Sequence, residues 1–182
     1  MGRLKATLAS ANEHKLRELE RVLDGWGLEL LAVDDYPPEE GGSYHENALA
    51  KARFGRTKRD GWVLGEDSGI EVEALGGGPG LHSSRLGGSD PLWLLRELEG
   101  VENRHARYVC ELVALDPEGR EHRGTGILEG RIAEEARGEE GFGYDPVFVP
   151  DGEERTVAEL GDDWKREHSH RARAARALLA AL

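Results

Sequence analysis

The sequence predicts an α/β fold: a mixed central sheet with flanking helices, built as a single domain over residues 1–182. Three observations support this. In the first half of the chain, short apolar runs of strand length alternate with segments of helical period, the pattern of strands joined by helical crossovers. The period then changes to two over residues 107–115 and 121–130, with Asp116-Pro117-Glu118-Gly119 between them, the composition of a hairpin turn. A chain of 182 residues, 38% hydrophobic, is long enough to bury a sizeable core within one domain.

Residues 4–9 form the first strand, and Ser10-Ala11-Asn12-Glu13 after it matches the S-x-x-E capping box that opens a helix. Leu16, Leu19, Val22 and Leu23 follow at helical spacing. Residues 28–33 read as a second strand, and Pro37, Pro38, Gly41 and Gly42 as a loop. Ser43-Tyr44-His45-Glu46 is a second capping box, whose helix runs through Ala48, Leu49 and Ala52 to a stop near Gly61. Residues 62–64 read as a buried strand whose end delivers Glu66-Asp67-Ser68-Gly69, followed by a short strand at 70–72 and a glycine-rich turn at 76–80. Asp90 caps a helix through Trp93, Leu94 and Leu98. Beyond the hairpin, Gly141-Phe142-Gly143-Tyr144-Asp145-Pro146 is too rich in glycine for an element interior and reads as a shaped loop. The last helix begins near Ser169, with Ala174, Leu178 and Leu182 at i, i+4 and i+8.

Charge narrows the choice of partners. The chain has 24 Lys and Arg against 36 Asp and Glu, a formal net charge of −12. Such a field repels nucleic acid and anionic membrane, so neither is expected to bind. The longest uninterrupted apolar run, residues 177–182, falls far short of the roughly 20 residues that span a bilayer. Cys110 is the only cysteine, which excludes an internal disulfide and fits a cytoplasmic location. A polyanionic ligand would need a local basic pocket or a metal.

Four places in the sequence offer chemistry. Ser10, Asn12 and Lys15 sit where a strand hands over to a helix, where α/β proteins commonly bind phosphates, although the P-loop pattern is missing. Glu46 and Asp67 are hard oxygen donors that, with phosphate oxygens and water, suit Mg2+. Zinc is not expected, because the chain has no C-x-x-C or H-E-x-x-H pattern. Taken alone, Glu46 reads more simply as a capping partner and Asp67 as a turn residue, and the adjacent Glu66 and Asp67 must either repel each other or share a cation. Phe142 and Tyr144 flank Gly143 with Asp145 next, so a flat ring would meet aromatic faces while the carboxylate accepts hydrogen bonds from its edge. Finally, residues 164–182 carry Lys165, Arg166, Arg171, Arg173 and Arg176 against Glu167 alone. That segment fits either an anion site at a helix start or a solvated helix whose cations face the acidic body.

In combination these segments resemble the inosine triphosphate pyrophosphatase family. The resemblance is collinear over nearly the whole chain. It rests on Ser10-x-Asn12-x-x-Lys15, Glu46-Asn47-Ala48-Leu49-x-Lys51-Ala52, Asp67-Ser68-Gly69 and Leu75-Gly76-Gly77-x-Pro79-Gly80, then on the 141–146 loop, Ala158-Glu159-Leu160, Lys165 and Ser169-His170-Arg171.

The resemblance implies an elongated, homodimeric α/β protein with two lobes around a nucleotide cleft. It would hydrolyse non-standard purine nucleoside triphosphates (ITP, dITP, XTP) to monophosphate and pyrophosphate with Mg2+. Ser10, Asn12 and Lys15 would hold the triphosphate, with Lys51 near the phosphates. Glu46 and Asp67 would hold Mg2+, Asp67 would also accept the proton of the attacking water, and Ser68 would contact substrate. Phe142, Gly143, Tyr144, Asp145, Lys165, His170 and Arg171 would surround the base and sugar. Two departures stand out: Ala11 where the family often has Gly, and Glu66 where many members have Asp. A septum-inhibitor-type nucleotide pyrophosphatase and a nucleotide-binding regulator without hydrolysis are the competing readings.

Overall fold

The computed structural model describes residues 4–85 and 90–182. Strands Leu4–Leu8 (β1), Trp26–Leu30 (β2), Trp62–Val72 (β3), His105–Leu115 (β4), Glu121–Ile132 (β5) and Phe148–Pro150 (β6) form one sheet in the order β2-β1-β3-β4-β5-β6. β1 lies parallel to both β2 and β3, and β5 runs antiparallel to β6, so the sheet is mixed as expected. The helices are Glu13–Val22 (α1), Tyr44–Lys58 (α2), Pro91–Glu97 (α3), Val157–His168 (α4) and His170–Ala180 (α5). Among the described residues, no helix is long and apolar enough to cross a membrane.

Most elements fall where their periodicity puts them, and the differences have physical reasons. β2 starts at Trp26 rather than at residue 28, because parallel pairing sets Leu4 against Trp26 and Leu8 against Leu30. Residues 62–72 form one strand of 11 residues, not two short strands around a turn. Its interior is buried on both faces, so no polar break is needed at Glu66-Asp67. β6 and α4 were not anticipated. α4 nevertheless opens with a full capping box: Glu159 N donates to Thr156 Oγ1 at 3.2 Å and Thr156 N to Glu159 Oε2 at 2.8 Å. The helix is interrupted at Gly161, whose φ of 81° is left-handed, and Glu140 accepts from the Asp162 amide freed there.

The chain forms two compact units, in keeping with the two expected lobes. The first comprises Met1–Asp67, Cys110–Gly126 and Arg171–Leu182, and the second Ser68–Val109 and Ile127–His170. The first has apolar clusters on both faces of its sheet. Leu8, Leu19, Leu23, Leu64, Leu112 and Leu178 pack with α1 and α5, while Ala48, Ala52, Val113 and Leu115 form the layer under α2. Strand side chains alternate between faces, so even positions of β3 and β4 meet α1 and α5 and odd positions meet α2. α2 approaches β3 closely because Gly65 has no side chain: a Cβ there would lie 1.9 Å from the Ala48 carbonyl oxygen. The second unit has its own core, including Ile70, Leu94, Leu98, Tyr108, Leu128, Tyr144 and Phe148.

Candidate active site

Because β3 is unbroken, its two neighbouring carboxylates point to opposite faces of the sheet, and each finds its own cations. This corrects the expectation that Glu66 and Asp67 repel or share one ion at a strand end. Glu66, whose side chain is 0% exposed, lies 2.5 Å from Lys15 Nζ. Its Oε1 accepts from Arg171 Nη2 at 2.9 Å and Nε at 3.2 Å, and from Cys110 Sγ at 3.4 Å. Burial alone would raise the Glu66 pKa, but Lys15 and Arg171 outweigh it and hold the carboxyl well below the ordinary range. The Cys110 thiol beside it is pushed well up by burial and by the Glu66 charge.

On the other face Asp67 accepts from Asn47 Nδ2 at 3.0 Å and from Lys51 Nζ at 2.9 Å. Asn47 and Lys51 stand four residues apart, about one turn of α2, so one helix face delivers both. Burial raises the Asp67 pKa above the ordinary carboxylate value, and Lys51 and Asn47 offset it only in part. A carboxylate more basic than usual and fixed at both oxygens suits a proton acceptor. Lys51 also donates to the Glu66 carbonyl oxygen at 3.1 Å and pairs with Glu39.

The first turn of α1 differs in detail from the expected capping box. Asn12, not Ser10, is the N-cap: its Oδ1 accepts from His14 N at 2.9 Å and Lys15 N at 3.3 Å. Ser10 Oγ accepts instead from Asn12 N at 3.1 Å. The extended backbone at Asn12 (φ −93°, ψ 105°) turns its side-chain carbonyl toward the free amides, so the cap falls two residues later. At α2, Ser43 Oγ caps Glu46 N as expected, but the Glu46 carboxylate reaches past the cap to Gly42 N at 2.6 Å.

The donors that would serve a divalent ion are the Glu46 and Asp67 carboxylates. Glu46 is exposed with one carboxylate oxygen on Gly42, and the next residue, Asn47, bonds to Asp67. Among the described residues no group of three or more His, Cys, Asp or Glu is gathered to hold a metal, so an ion here would complete its shell with phosphate oxygens and water.

The second unit assembles most of the expected base-facing residues around Asp145. Asp145 Oδ2 accepts from Lys165 Nζ at 2.7 Å and from Phe142 N at 3.0 Å, and Oδ1 accepts from Tyr108 OH at 3.2 Å. Lys165 Nζ stands 4.9 Å from the Phe142 ring centroid, and Gly141 and Gly143 supply the positive φ values of the loop. His170 stacks on Tyr108, with ring centroids 4.5 Å apart and planes 7° from parallel. Tyr144 is a core residue whose hydroxyl donates to the Ser83 carbonyl at 3.1 Å, and burial pushes its pKa up to about 12. Ser68, half-buried on β3, begins this unit.

Arg171 has different partners. It belongs to the first unit, is 2% exposed, and pairs with both Glu66 and Glu18. Arg173 and Arg176 face solvent, so the basic helix is neither wholly an anion site nor wholly a solvated face. Sequence reasoning also missed Glu39, Tyr108 and the structural weight of Glu66; none carries a local motif, and only the sheet and the loops bring them to their partners.

Comparison with known proteins agrees with this architecture. The Ham1 family profile matches residues 6–181. A dITP/XTP pyrophosphatase of Symbiobacterium thermophilum is 46% identical over 184 residues, covering 96% of this chain and 92% of its own. The structure of the Ham1 protein of Staphylococcus aureus superposes with a TM-score of 0.83 at 30% identity, covering 97% of this chain and 96% of that one. A nucleoside-triphosphatase/dITP/XTP pyrophosphatase from Mycobacterium abscessus gives a TM-score of 0.69 at 40% identity, covering 89% and 92%. The resemblance read from the motifs is thereby borne out, and the chain belongs to the Ham1 family.

Proposed function

We propose that the protein hydrolyses ITP, dITP and XTP to the nucleoside monophosphate and pyrophosphate. One observation carries this reading: a buried Asp67 carboxylate held at both oxygens by Asn47 and Lys51, in a chain whose relatives are dITP/XTP pyrophosphatases. Water attacks the α-phosphorus and Asp67 takes its proton. The pyrophosphate leaves as Lys15 and Lys51 neutralise the charge that builds on it, so rate comes from positioning and electrostatics rather than a covalent nucleophile. Ser10 and the Asn12 amide orient the phosphate chain. Held by Glu46 and Asp67, Mg2+ would withdraw charge from the phosphate oxygens.

Phe142, Gly143, Tyr144, Asp145, Lys165 and His170 in the second unit form the base end. An ammonium donates only, so Lys165 accommodates a 6-oxo oxygen and is mismatched with the 6-amino group of adenine. Ser68 adds a hydroxyl toward substrate, and Arg171 acts through Glu66. The protein works in the cytoplasm without nucleic acid or membrane partners, a reading supported by its single buried thiol and its net charge of −12, and as a homodimer, as the family resemblance implies. A substrate panel tests the function: turnover of ITP, dITP and XTP with GTP and ATP largely spared supports it, whereas equal turnover of ATP contradicts it.

A further inference from the structure

Tyr108 is a buried residue of β4, and both its hydroxyl and its ring engage side chains of the base end. The hydroxyl donates to Asp145 Oδ1 at 3.2 Å, while Lys165 Nζ at 2.7 Å and the Phe142 amide at 3.0 Å hold Oδ2. The ring stacks on His170 with planes 7° from parallel, and its centroid lies 4.6 Å from that of the buried Phe148. All of these residues belong to the second unit. β4 runs between β3 and β5 in the sheet, so Tyr108 is a fixed support, whereas Phe142 and Asp145 sit on the loop shaped by Gly141 and Gly143.

The orientation of Asp145 bears directly on the choice of base. A 6-oxo purine presents an N1–H donor beside its O6 acceptor, whereas adenine presents an N1 acceptor beside a 6-amino donor. A carboxylate accepts only and an ammonium donates only, so Asp145 and Lys165 together match the first edge and oppose both positions of the second. That opposition persists only while the carboxylate cannot turn away from the adenine N1 lone pair. Tyr108 resists the rotation by holding the oxygen opposite the one bound to Lys165.

We propose that Tyr108 is a specificity-determining positioning residue: without touching substrate, its hydroxyl locks the Asp145 carboxylate and its ring sets the plane of His170, so that the base end rejects 6-amino purines. The assignment rests on the proposed reaction for the place of the base, and deepens it by naming the residue behind the carboxylate.

Tyr108→Phe tests this, because it keeps the ring and its stack on His170 and removes the hydroxyl alone. Steady-state kinetics gives kcat/KM for ITP, GTP and ATP, and calorimetry gives the affinities of IMP, AMP and inorganic tripolyphosphate with Mg2+. The ITP-to-ATP and IMP-to-AMP ratios are expected to fall about threefold to tenfold, the scale of one hydrogen bond. The ITP-to-GTP ratio should stay, because guanine shares N1–H and O6, and so should tripolyphosphate binding, which involves no base. In an Asp145→Ala background the same substitution should no longer move the ratios, because the hydroxyl acts through that carboxylate. Unchanged ITP-to-ATP and IMP-to-AMP ratios in Tyr108→Phe overturn the assignment. So does an equal loss for all three triphosphates together with weaker tripolyphosphate binding, the mark of a general disturbance. A wild type indifferent to the 6-substituent in both binding and turnover overturns it as well. If wild type turns over ITP selectively but Tyr108→Phe keeps the ratios, only the positioning role fails. If wild type leaves ITP intact while IMP outbinds AMP and Tyr108→Phe narrows that gap, only the proposed reaction fails.

Discussion

Asn47 and Asp67, 20 residues apart in sequence, are joined side chain to side chain, Nδ2 to Oδ2 at 3.0 Å. With Lys51 on the other oxygen, the carboxylate cannot rotate without breaking one of two hydrogen bonds, and its orientation is set before any substrate arrives. The proposed proton acceptor is therefore a product of α2 docking on β3.

Asp67→Asn keeps the shape of the side chain and removes its basicity. Turnover of ITP should fall by about a hundredfold to ten-thousandfold, the usual contribution of a general base. Steady-state kinetics alongside a thermal melt checks this, and wild-type turnover would remove Asp67 from the mechanism.

Gly65→Ala tests the docking itself. The added methyl would sit 1.9 Å from the Ala48 carbonyl oxygen, so α2 must lift from β3. We expect a loss of about 2–3 kcal/mol of stability, the scale of overpacking, together with a drop in kcat because Asn47 and Lys51 ride on α2. Chemical denaturation and kinetics on the same preparation read both effects.

From the sequence, Lys165→Ala and Arg171→Ala both looked like substrate-binding lesions, and the structure separates them. Arg171 is buried between Glu66 and Glu18, so its removal leaves carboxylates short of their cation, at a cost of about 3–5 kcal/mol. Lys165 pairs with Asp145 beside the Phe142 ring, where it can exchange that partner for a base oxygen, and its loss should raise KM for ITP. Thermal melts and KM values of the two variants should therefore rank them in opposite orders.

The β4–β5 turn supplies a pH test far from the proposed chemistry. Desolvation raises the Asp116 pKa, but bonds from the Arg120 amide, the His122 ring and the Arg120 guanidinium outweigh it and hold the carboxyl at about 2, below its ordinary 3.8. A depressed carboxylate stabilises the fold fully above its unfolded pKa, and that contribution drains away as pH falls from about 4 toward 2. The melting-temperature advantage of wild type over Asp116→Asn should therefore be constant from neutral pH to about 5 and shrink below it. A gap independent of pH would mean that the carboxylate charge contributes nothing there.

Periodicity made the strands at 4–9, 107–115 and 121–130 and the helices around Leu19, Ala48 and Leu178 legible, because each buries one face with a regular repeat. The stretch 62–72 was harder. Two carboxylates and a Ser-Gly pair look like a break, and only the cations waiting on either face, Lys15 and Arg171 for Glu66 and Lys51 for Asp67, explain a strand that continues through them. α4 could have been found, since Thr156-Val157-Ala158-Glu159 carries the same capping signature that located the α2 start. The contacts of Tyr108 with Asp145 and of Glu39 with Lys51 were beyond reach, because they join residues distant in sequence by sheet pairing and loop path rather than by local pattern.

Hydrolysis of ITP in heavy-oxygen water tests the proposed reaction most directly, because the label marks the phosphorus that water attacked. Attack at the α-phosphorus, with Asp67 as base, predicts label in the inosine monophosphate and none in the pyrophosphate. Label in the pyrophosphate, or in orthophosphate released with inosine diphosphate, would contradict it.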